Sequence, residues 1–439
     1  MSADPTLTHR TVLRIAVPVM LSNVSTPLIG VVDTAIIGRY PNPAYIGAVA
    51  VGSLIFTFTF WAFGFLRMGT TGLTAQALGA RDRDELAATL ARSLLIAVGA
   101  GLVLLALQQP LRAAAFALLG APPDVGRLAR GFFDVRIWSA PASLANYALL
   151  GWFVGLGRTD IGLALQLILN LTNAALDALF VLGFGWDVRG VALGTLIAEY
   201  VAASAGLAIA LGHLRREGGR WSRDRVLARD KLRRTFAVSG DIMVRTLALT
   251  AVFAWFVAQG ARQGDVVLAA NAILMHLISV AAFFLDGLAF AAEALVGRAV
   301  GAARRAGLTA AARTTTVWAV GTAALLALLF AALGPRFVDL LTVDGTARAA
   351  ARTFLPWAAA APLLGVWAFQ LDGIFIGATR TADMRRAAVA SLLIFLAAWR
   401  LLVPLGNQGL WAAFYVHYLA RIGTLLYYYP ALVRSVPAR

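Results

Sequence analysis

The chain has 439 residues, of which 60% are hydrophobic and 14% are charged, and its mean hydropathy is +0.77. Soluble domains carry about 25% charged residues, so this composition excludes an ordinary cytosolic enzyme or a disordered chain and predicts an all-α polytopic membrane protein. The net charge of +16 does not indicate nucleic-acid binding, because the basic residues are spread between apolar segments. Disulfides and thiolate metal sites are excluded, since the chain has no cysteine.

Twelve apolar segments predict twelve transmembrane helices, since a helix needs about 20 apolar residues to cross the hydrocarbon. The first ten residues lack the apolar core of a signal peptide, so we expect the first span to act as an uncleaved signal. In chain order the predicted spans cover about residues 13–37, 44–66, 93–111, 131–156, 161–186, 190–214, 235–261, 266–297, 314–335, 351–378, 387–405 and 409–430.

The two halves of the chain repeat. Residues 154–159 (VGLGRT) match residues 376–381 (IGATRT) at an offset of 222, and residues 77–80 match residues 299–302 at the same offset. An even number of spans in each half predicts that the halves share one orientation, related by a pseudo-twofold axis along the membrane normal. We therefore expect a six-helix lobe at 1–213, a basic cytoplasmic linker at 214–234 and a second six-helix lobe at 235–439.

The distribution of lysine and arginine predicts the orientation. The connection 214–234 carries eight arginines and one lysine, and more than half of all 38 basic residues, this connection included, lie in segments on the same side. Because basic loops remain in the cytoplasm, we expect a multi-pass protein of the inner membrane with both termini cytoplasmic. The linker is interpreted as a solvated topology anchor, with binding of lipid head groups as the alternative.

Polar side chains within the first-lobe spans mark the candidate functional site, because ionisable groups in hydrocarbon usually face a protein interior or a cavity. Asp33 lies in the outer half of the first span, and Asp177 lies in the outer half of the fifth, one turn after Asn173. Two carboxylates in one desolvated pocket cannot both ionise cheaply, so such a pair can hold H+ or Na+ and exchange it for a cationic substrate. Further pocket candidates in this lobe are Asn146, Asn170, Thr195 and Glu199.

The second lobe does not repeat this acidic pocket. At 222 residues after Asn173 and Asp177 come Phe395 and Trp399. A polar motif with only a structural role would recur in both halves, so we interpret Asp33 and Asp177 as functional.

The second lobe has intramembrane acids of its own. Asp286 and Glu293, seven residues apart on one helix face, and Asp372 are candidates for a second coupling site or for ion-pair partners of buried arginines. Asp241 and Arg245, four residues apart, are expected to pair with each other.

Several stretches resemble the multidrug and toxic compound extrusion (MATE) transporters, in particular their DinF-like branch. The likeness covers essentially the whole chain and is most specific at 136–200. It is carried by residues 18–40, 67–82, 136–157, 170–200, 241–247, 271–275 and 285–302.

The resemblance implies two six-helix lobes and export of cationic or amphipathic compounds driven by H+ or, as the less favoured ion, Na+. It implies that Asp33 binds the coupling ion, and that Asn173, Asp177 and Thr195 complete its pocket. Na+, if used, would bind at Asp33, Asn173 and Asp177. Pro18 matches a proline proposed to bend the first helix on protonation, and Pro27 is a second proline in that helix.

Two other functions remain open at this point. A lipid-linked oligosaccharide flippase of the same superfamily is the alternative, although flippases tend to have an arginine-lined cavity. An intramembrane enzyme would need a nucleophile or metal site that the sequence does not show, so we expect no enzyme and no cofactor besides the coupling ion. The expected partners are small cationic or amphipathic drugs and membrane lipids, with no nucleic acid, and a monomer is expected.

Overall fold

The computed structural model describes residues 8–438, and these residues are almost entirely helical, as the composition predicts. The prediction about the first ten residues falls largely on 1–7, which lie outside the described residues. The helices of the first half are α1 (His9–Ile37), α2 (Ala44–Trp61), α3 (Phe65–Gly79), α4 (Arg83–Ala106), α5 (Gln108–Leu119), α6 (Pro123–Arg136), α7 (Ala140–Gly155), α8 (Thr159–Asp177) and α9 (Val188–Glu217).

The second half begins with a single turn and continues with six long helices. A short 3-10 turn, Val403–Leu405, separates the last two. The helices are α10 (Arg223–Val226), α11 (Arg229–Arg262), α12 (Asp265–Gly301), α13 (Arg305–Leu341), α14 (Gly345–Gly377), α15 (Thr381–Leu402) and α16 (Gly406–Arg434).

Between residues 8 and 438, ten helical stretches are long and apolar enough to span a membrane. One of them, Thr381–Arg434, contains both α15 and α16. The remaining span consists of α6 and α7, whose charged residues, including the buried Arg136, lower its hydropathy. The prediction of twelve membrane helices is therefore confirmed.

Local sequence signals explain where several helices begin and end. The Asp82 carboxylate caps α4 by accepting from the Glu85 backbone N–H at 3.0 Å, and Asp344 caps α14 by accepting from the Ala347 N–H at 2.7 Å. Gly218, with φ +76°, adopts the left-handed conformation that ends α9.

The chain divides into two compact units. We call Leu21–Ala77 with Asp82–Phe236 the N-terminal unit, and Met1–Met20, Leu78–Arg81 and Ala237–Arg439 the C-terminal unit. Each unit has its own aromatic core. Phe56 stacks on Phe133 in the N-terminal unit, and Phe256 packs against Trp411 in the C-terminal unit.

Two glycines on α7 allow a close contact in the N-terminal unit. A Cβ atom at Gly151 would clash with the carbonyl oxygen of Arg67, and one at Gly155 would lie 2.7 Å from the carbonyl oxygen of Thr71. Since real Cβ atoms do not approach a backbone oxygen so closely, only glycine permits this packing of α7 against α3.

The same contact recurs in the C-terminal unit, 222 positions later at every residue. A Cβ atom at Gly373 on α14 would clash with the carbonyl oxygen of Ala289, and one at Gly377 would lie 2.5 Å from that of Glu293. The two halves therefore share not only similar residues but also the same backbone contacts between helices.

The turns after these helices repeat as well. Arg81 and Ala303, 222 positions apart, have φ values of +58° and +54°. Gly157 and Thr379, at the same spacing, have φ values of +71° and +52°. Left-handed backbone is uncommon for residues other than glycine, so both halves conserve the turn even where they do not use glycine.

Candidate functional site

Two buried carboxyl groups meet in the N-terminal unit. Asp33 on α1 is 6% exposed, Asp177 at the end of α8 is fully buried, and the two carboxyl groups lie close enough to act on each other electrostatically. Because two negative charges buried side by side repel each other, such a pair favours the uptake of a proton or another small cation. The pairing predicted from their positions in the first and fifth spans is present in the structure.

Asn173 holds Asp177 in place. Its side-chain Nδ2 donates to Asp177 Oδ2 and to Thr195 Oγ1, each at 3.1 Å, and the Thr195 hydroxyl donates to the Val191 carbonyl at 2.9 Å. Asn173 and Asp177 lie one turn apart on the same face of α8, as their spacing predicts. The structure thus brings together Asp33, Asn173, Asp177 and Thr195.

Three buried oxygens in this cluster have no hydrogen-bond donor among residues 8–438: Asp33 Oδ1, Asn173 Oδ1 and Asp177 Oδ1. A buried acceptor without a donor is costly. An entering proton, or a hard cation that prefers oxygen ligands, would satisfy these atoms. The cluster is therefore suited to binding a small cation.

Two backbone features shape the pocket around Asp177. Its carboxylate lies against Gly194 of α9, where a Cβ atom would clash with Asp177 Oδ1 and lie 3.3 Å from its backbone nitrogen. Directly after Asp177 the chain changes from α-helix to a π-helical segment, Ala178–Gly183. Such wide turns are frequent at functional sites, and neither Gly194 nor this segment was identified from the sequence.

Asn170 and the prolines of α1 lie outside the carboxyl cluster. The side-chain Nδ2 of Asn170 donates to the Ser25 carbonyl at 3.3 Å and so connects α8 to α1. The helix α1 continues through both prolines, with Pro18 half-buried in the C-terminal unit and Pro27 exposed in the N-terminal unit.

Glu199 and Asn146 form a neighbouring cluster around an arginine. Glu199 Oε1 accepts from Arg136 at 3.2 Å, and Glu199 Oε2 accepts from Asn146 at 2.8 Å. The charge of Arg136 also acts electrostatically on Asp33 and Asp177. Arg136 therefore pairs with Glu199 within the N-terminal unit, and not with an acid of the second lobe. In the sequence, Arg136 is the only arginine of its predicted span, 131–156, and this position indicates a buried partner.

In the C-terminal unit, Asp372 and Asp241 form ion pairs with arginines of other helices. Asp372 on α14 pairs with Arg245 of α11 and with Arg421 of α16. The predicted pairing of Asp241 with Arg245 is wrong: Asp241 instead pairs with Arg385 at 2.7 Å. Spacing along one helix suggested the first pairing, but each side chain reaches a partner on another helix.

The two acids of α12 lie in the same unit. Asp286 is half-buried and acts electrostatically on Arg421, and Glu293 is buried. Fixed guanidinium groups therefore stand close to Asp372 and Asp286. The N-terminal pocket differs, because it brings two carboxyl groups, those of Asp33 and Asp177, close together.

The repeat shows what replaces the acid pair in the C-terminal unit. Trp255 and Trp399 stand 222 positions after Asp33 and Asp177, and their rings contact each other edge to face with centroids 5.1 Å apart. The contact is retained while its chemistry changes from carboxyl to aromatic.

The neighbouring contact behaves in the same way. The hydrogen bond from Asn173 to Thr195 corresponds to an edge-to-face contact between Phe395 and His417, whose ring centroids are 6.2 Å apart. The packing scheme is common to both units, and the carboxyl pair is specific to the N-terminal one.

Comparisons with known proteins agree with this architecture. The MatE family model matches residues 18–179 and 242–398. DNA damage-inducible protein F of Escherichia coli is 39% identical and covers 94% of this chain and 89% of its own length. A probable multidrug resistance protein NorM of Bradyrhizobium diazoefficiens is 28% identical over 97% of this chain and 93% of its own.

A crystal structure of a MATE protein in its bent conformation has a TM-score of 0.86, with 17% identity over 97% of this chain and 96% of that one. At this identity the likeness shows the fold, two lobes and twelve helices. The family match covers Asp33, Asn173 and Asp177 in its first segment and Asp372 in its second. The chain is a multi-pass membrane protein that belongs to the MatE family.

Proposed function

We propose that this protein is a secondary active exporter that exchanges H+ for cationic or amphipathic compounds at the inner membrane. The observation that carries this proposal is the buried pair of carboxyl groups formed by Asp33 and Asp177. The names of its relatives, which include a probable multidrug resistance protein, support export of small molecules. Because Asp33, Asn173, Asp177 and Thr195 all come from one chain, we expect a monomer to be active.

The pocket can couple the two fluxes by charge. When the carboxyl pair carries negative charge it attracts a cation, and when protons neutralise it that attraction is lost, which matters most in a site of low dielectric. Each pH unit across the membrane supplies about 1.4 kcal/mol per proton. Asp33 also lies on the helix that contains Pro18 and Pro27, where backbone hydrogen bonds are missing and bending is easiest.

The C-terminal acids are assigned a structural role in this proposal. Because Asp372 is already paired with Arg245 and Arg421, a mobile cation would have to displace two fixed ones. Coupling is therefore assigned to the N-terminal unit, with Na+ at Asp33, Asn173 and Asp177 as the alternative ion.

Dye efflux from proteoliposomes tests the proposal. With purified protein, efflux of a cationic dye should accelerate when the outside is made more acidic than the lumen, and a Na+ gradient at equal pH should have no effect. Efflux driven by Na+ alone would make the coupling ion wrong. Absence of gradient-dependent efflux for a panel of cationic dyes would contradict the exporter function itself.

We also propose that both termini face the cytoplasm, and the absence of native cysteine allows a direct test. Val343 is 95% exposed between α13 and α14. In intact cells, the variant Val343→Cys should be labelled by a maleimide that does not cross the membrane. Arg223→Cys in the basic linker should be labelled only after the cells are permeabilised. The reverse pattern would invert the topology.

A further inference from the structure

A basic cavity of about 490 Å³ is lined by residues of the C-terminal unit. It is formed where α3 and α12 end and α13 begins, beside the two repeated left-handed turns. The C-terminal segment lies nearby, because the Arg305 backbone N–H donates to the Pro437 carbonyl at 3.3 Å. The cavity therefore lies at the same end of the C-terminal unit as the end of α16.

The lining of this cavity suits an anion. Its described lining residues include Arg81, Arg298 and Arg304 and no acid, and the others are apolar or small. The first residues of the 37-residue helix α13, including Gly307, also line the cavity. The N-terminus of a long helix carries a partial positive charge, which adds to the attraction of the arginines for phosphate.

The backbone at Arg81 allows its side chain to be removed without disturbing the turn. Arg81 has φ +58°, a conformation that strains residues other than glycine. Gly157 adopts the same conformation in its own turn, and it does so without strain because it is glycine. Arg81→Gly therefore removes the arginine side chain from the cavity and relieves the strain of the turn at the same time.

Neighbouring small residues build the cavity. A Cβ atom at Gly79 would clash with the carbonyl oxygen of Arg298 and lie 3.0 Å from the Ala302 nitrogen. The end of α3 is thereby held close to α12, which places the Arg81 turn and the start of α13 around one space.

We propose that this cavity binds the phosphate group of an anionic ligand, through Arg81, Arg298, Arg304 and the start of α13. Two sources share this chemistry: the head group of an anionic phospholipid, and a free phosphate compound from the aqueous phase. The cavity volume is in the range of small-ligand sites, about 300–1,000 Å³. The inference is independent of the proposed export function.

The experiment uses the purified full-length protein in detergent, titrated with phosphatidylglycerol in one arm and inorganic phosphate in the other. Bound ligand is counted by native mass spectrometry, together with the unfolding temperature. We expect Arg81→Gly to weaken binding about tenfold, as for loss of a charge-assisted hydrogen bond, without lowering the unfolding temperature, because glycine relieves the strained turn. Arg304→Gln should weaken binding similarly.

The matched control is Arg313→Gln, since Arg313 is exposed on α13 and does not line the cavity. This variant should bind as the unmodified protein does. Binding in the phosphatidylglycerol arm alone would identify a lipid as the source, and binding in the phosphate arm would identify a soluble compound. Equal affinity in Arg81→Gly, Arg304→Gln and the unmodified protein would overturn the proposal, as would an equal loss in Arg313→Gln.

Discussion

Asp33→Asn is expected to reduce proton-driven dye efflux to the level of protein-free vesicles. An amide has nearly the shape of a carboxyl group but cannot take up and release a proton, so the variant keeps the packing and loses the chemistry. The fold should be unharmed: burying two acids together is costly, and replacing one of them should leave the unfolding temperature equal or slightly higher. Loss of transport without loss of stability is the expected signature.

Efflux under an imposed pH gradient and the unfolding temperature are measured on the same preparations. Asp124→Asn is the matched control, because it makes the same substitution in the same unit at a carboxylate that is 79% exposed. It should transport normally. If Asp33→Asn retained near-normal pH-driven efflux, Asp33 would have no part in coupling and the carboxyl pair would be a structural feature only.

Gly373→Ala is expected to destabilise the protein strongly. Its Cβ atom would clash with the carbonyl oxygen of Ala289 and lie 3.1 Å from the Ala289 Cα, so the added methyl group meets backbone and cannot be accommodated by a side-chain movement. The helices α12 and α14 must separate, which for overpacked contacts costs about 1–3 kcal/mol or more. A fall of several degrees in the unfolding temperature, or failure to accumulate, should follow.

Gly321→Ala provides the control, since Gly321 lies on α13 of the same unit with no atom near a Cβ placed there. Alanine at that position should be neutral or stabilise by up to about 1 kcal/mol, because it favours helix over glycine. Thermal unfolding can be followed through the 11 tryptophans, as the chain has no thiol for a cysteine-reactive dye. Equal unfolding temperatures for the two variants would show that the glycine contact does not hold α12 and α14 together.

The repeat explains why only one unit carries the carboxyl pair. Both units retain the glycine contacts and the left-handed turns, because these determine how the helices pack. At the positions of Asp33 and Asp177 the C-terminal unit has Trp255 and Trp399, which pack against each other. A tryptophan pair satisfies the same packing, so the acids are not required by the fold and are available for a functional role.

The sequence by itself determined the membrane class, the twelve helices, the repeat offset and the candidate residues Asp33, Asn173, Asp177 and Thr195, which the structure brings together. The helices can be predicted from the length of each apolar segment, and the candidate residues from the cost of placing a polar group in hydrocarbon. Both properties can be read from the order of residues along the chain.

The tertiary structure alone decided the partners of the charged residues. Spacing suggested that Arg245 pairs with Asp241, whereas it pairs with Asp372, 127 positions away. Arg136, Glu199 and Asn146 likewise meet from three different helices. A long side chain can reach any neighbouring helix, and the rotation and proximity of those helices are fixed by backbone contacts such as those of Gly155 and Gly377. Spacing within one helix therefore predicts which residues share a face, and only the packing of helices decides what that face meets.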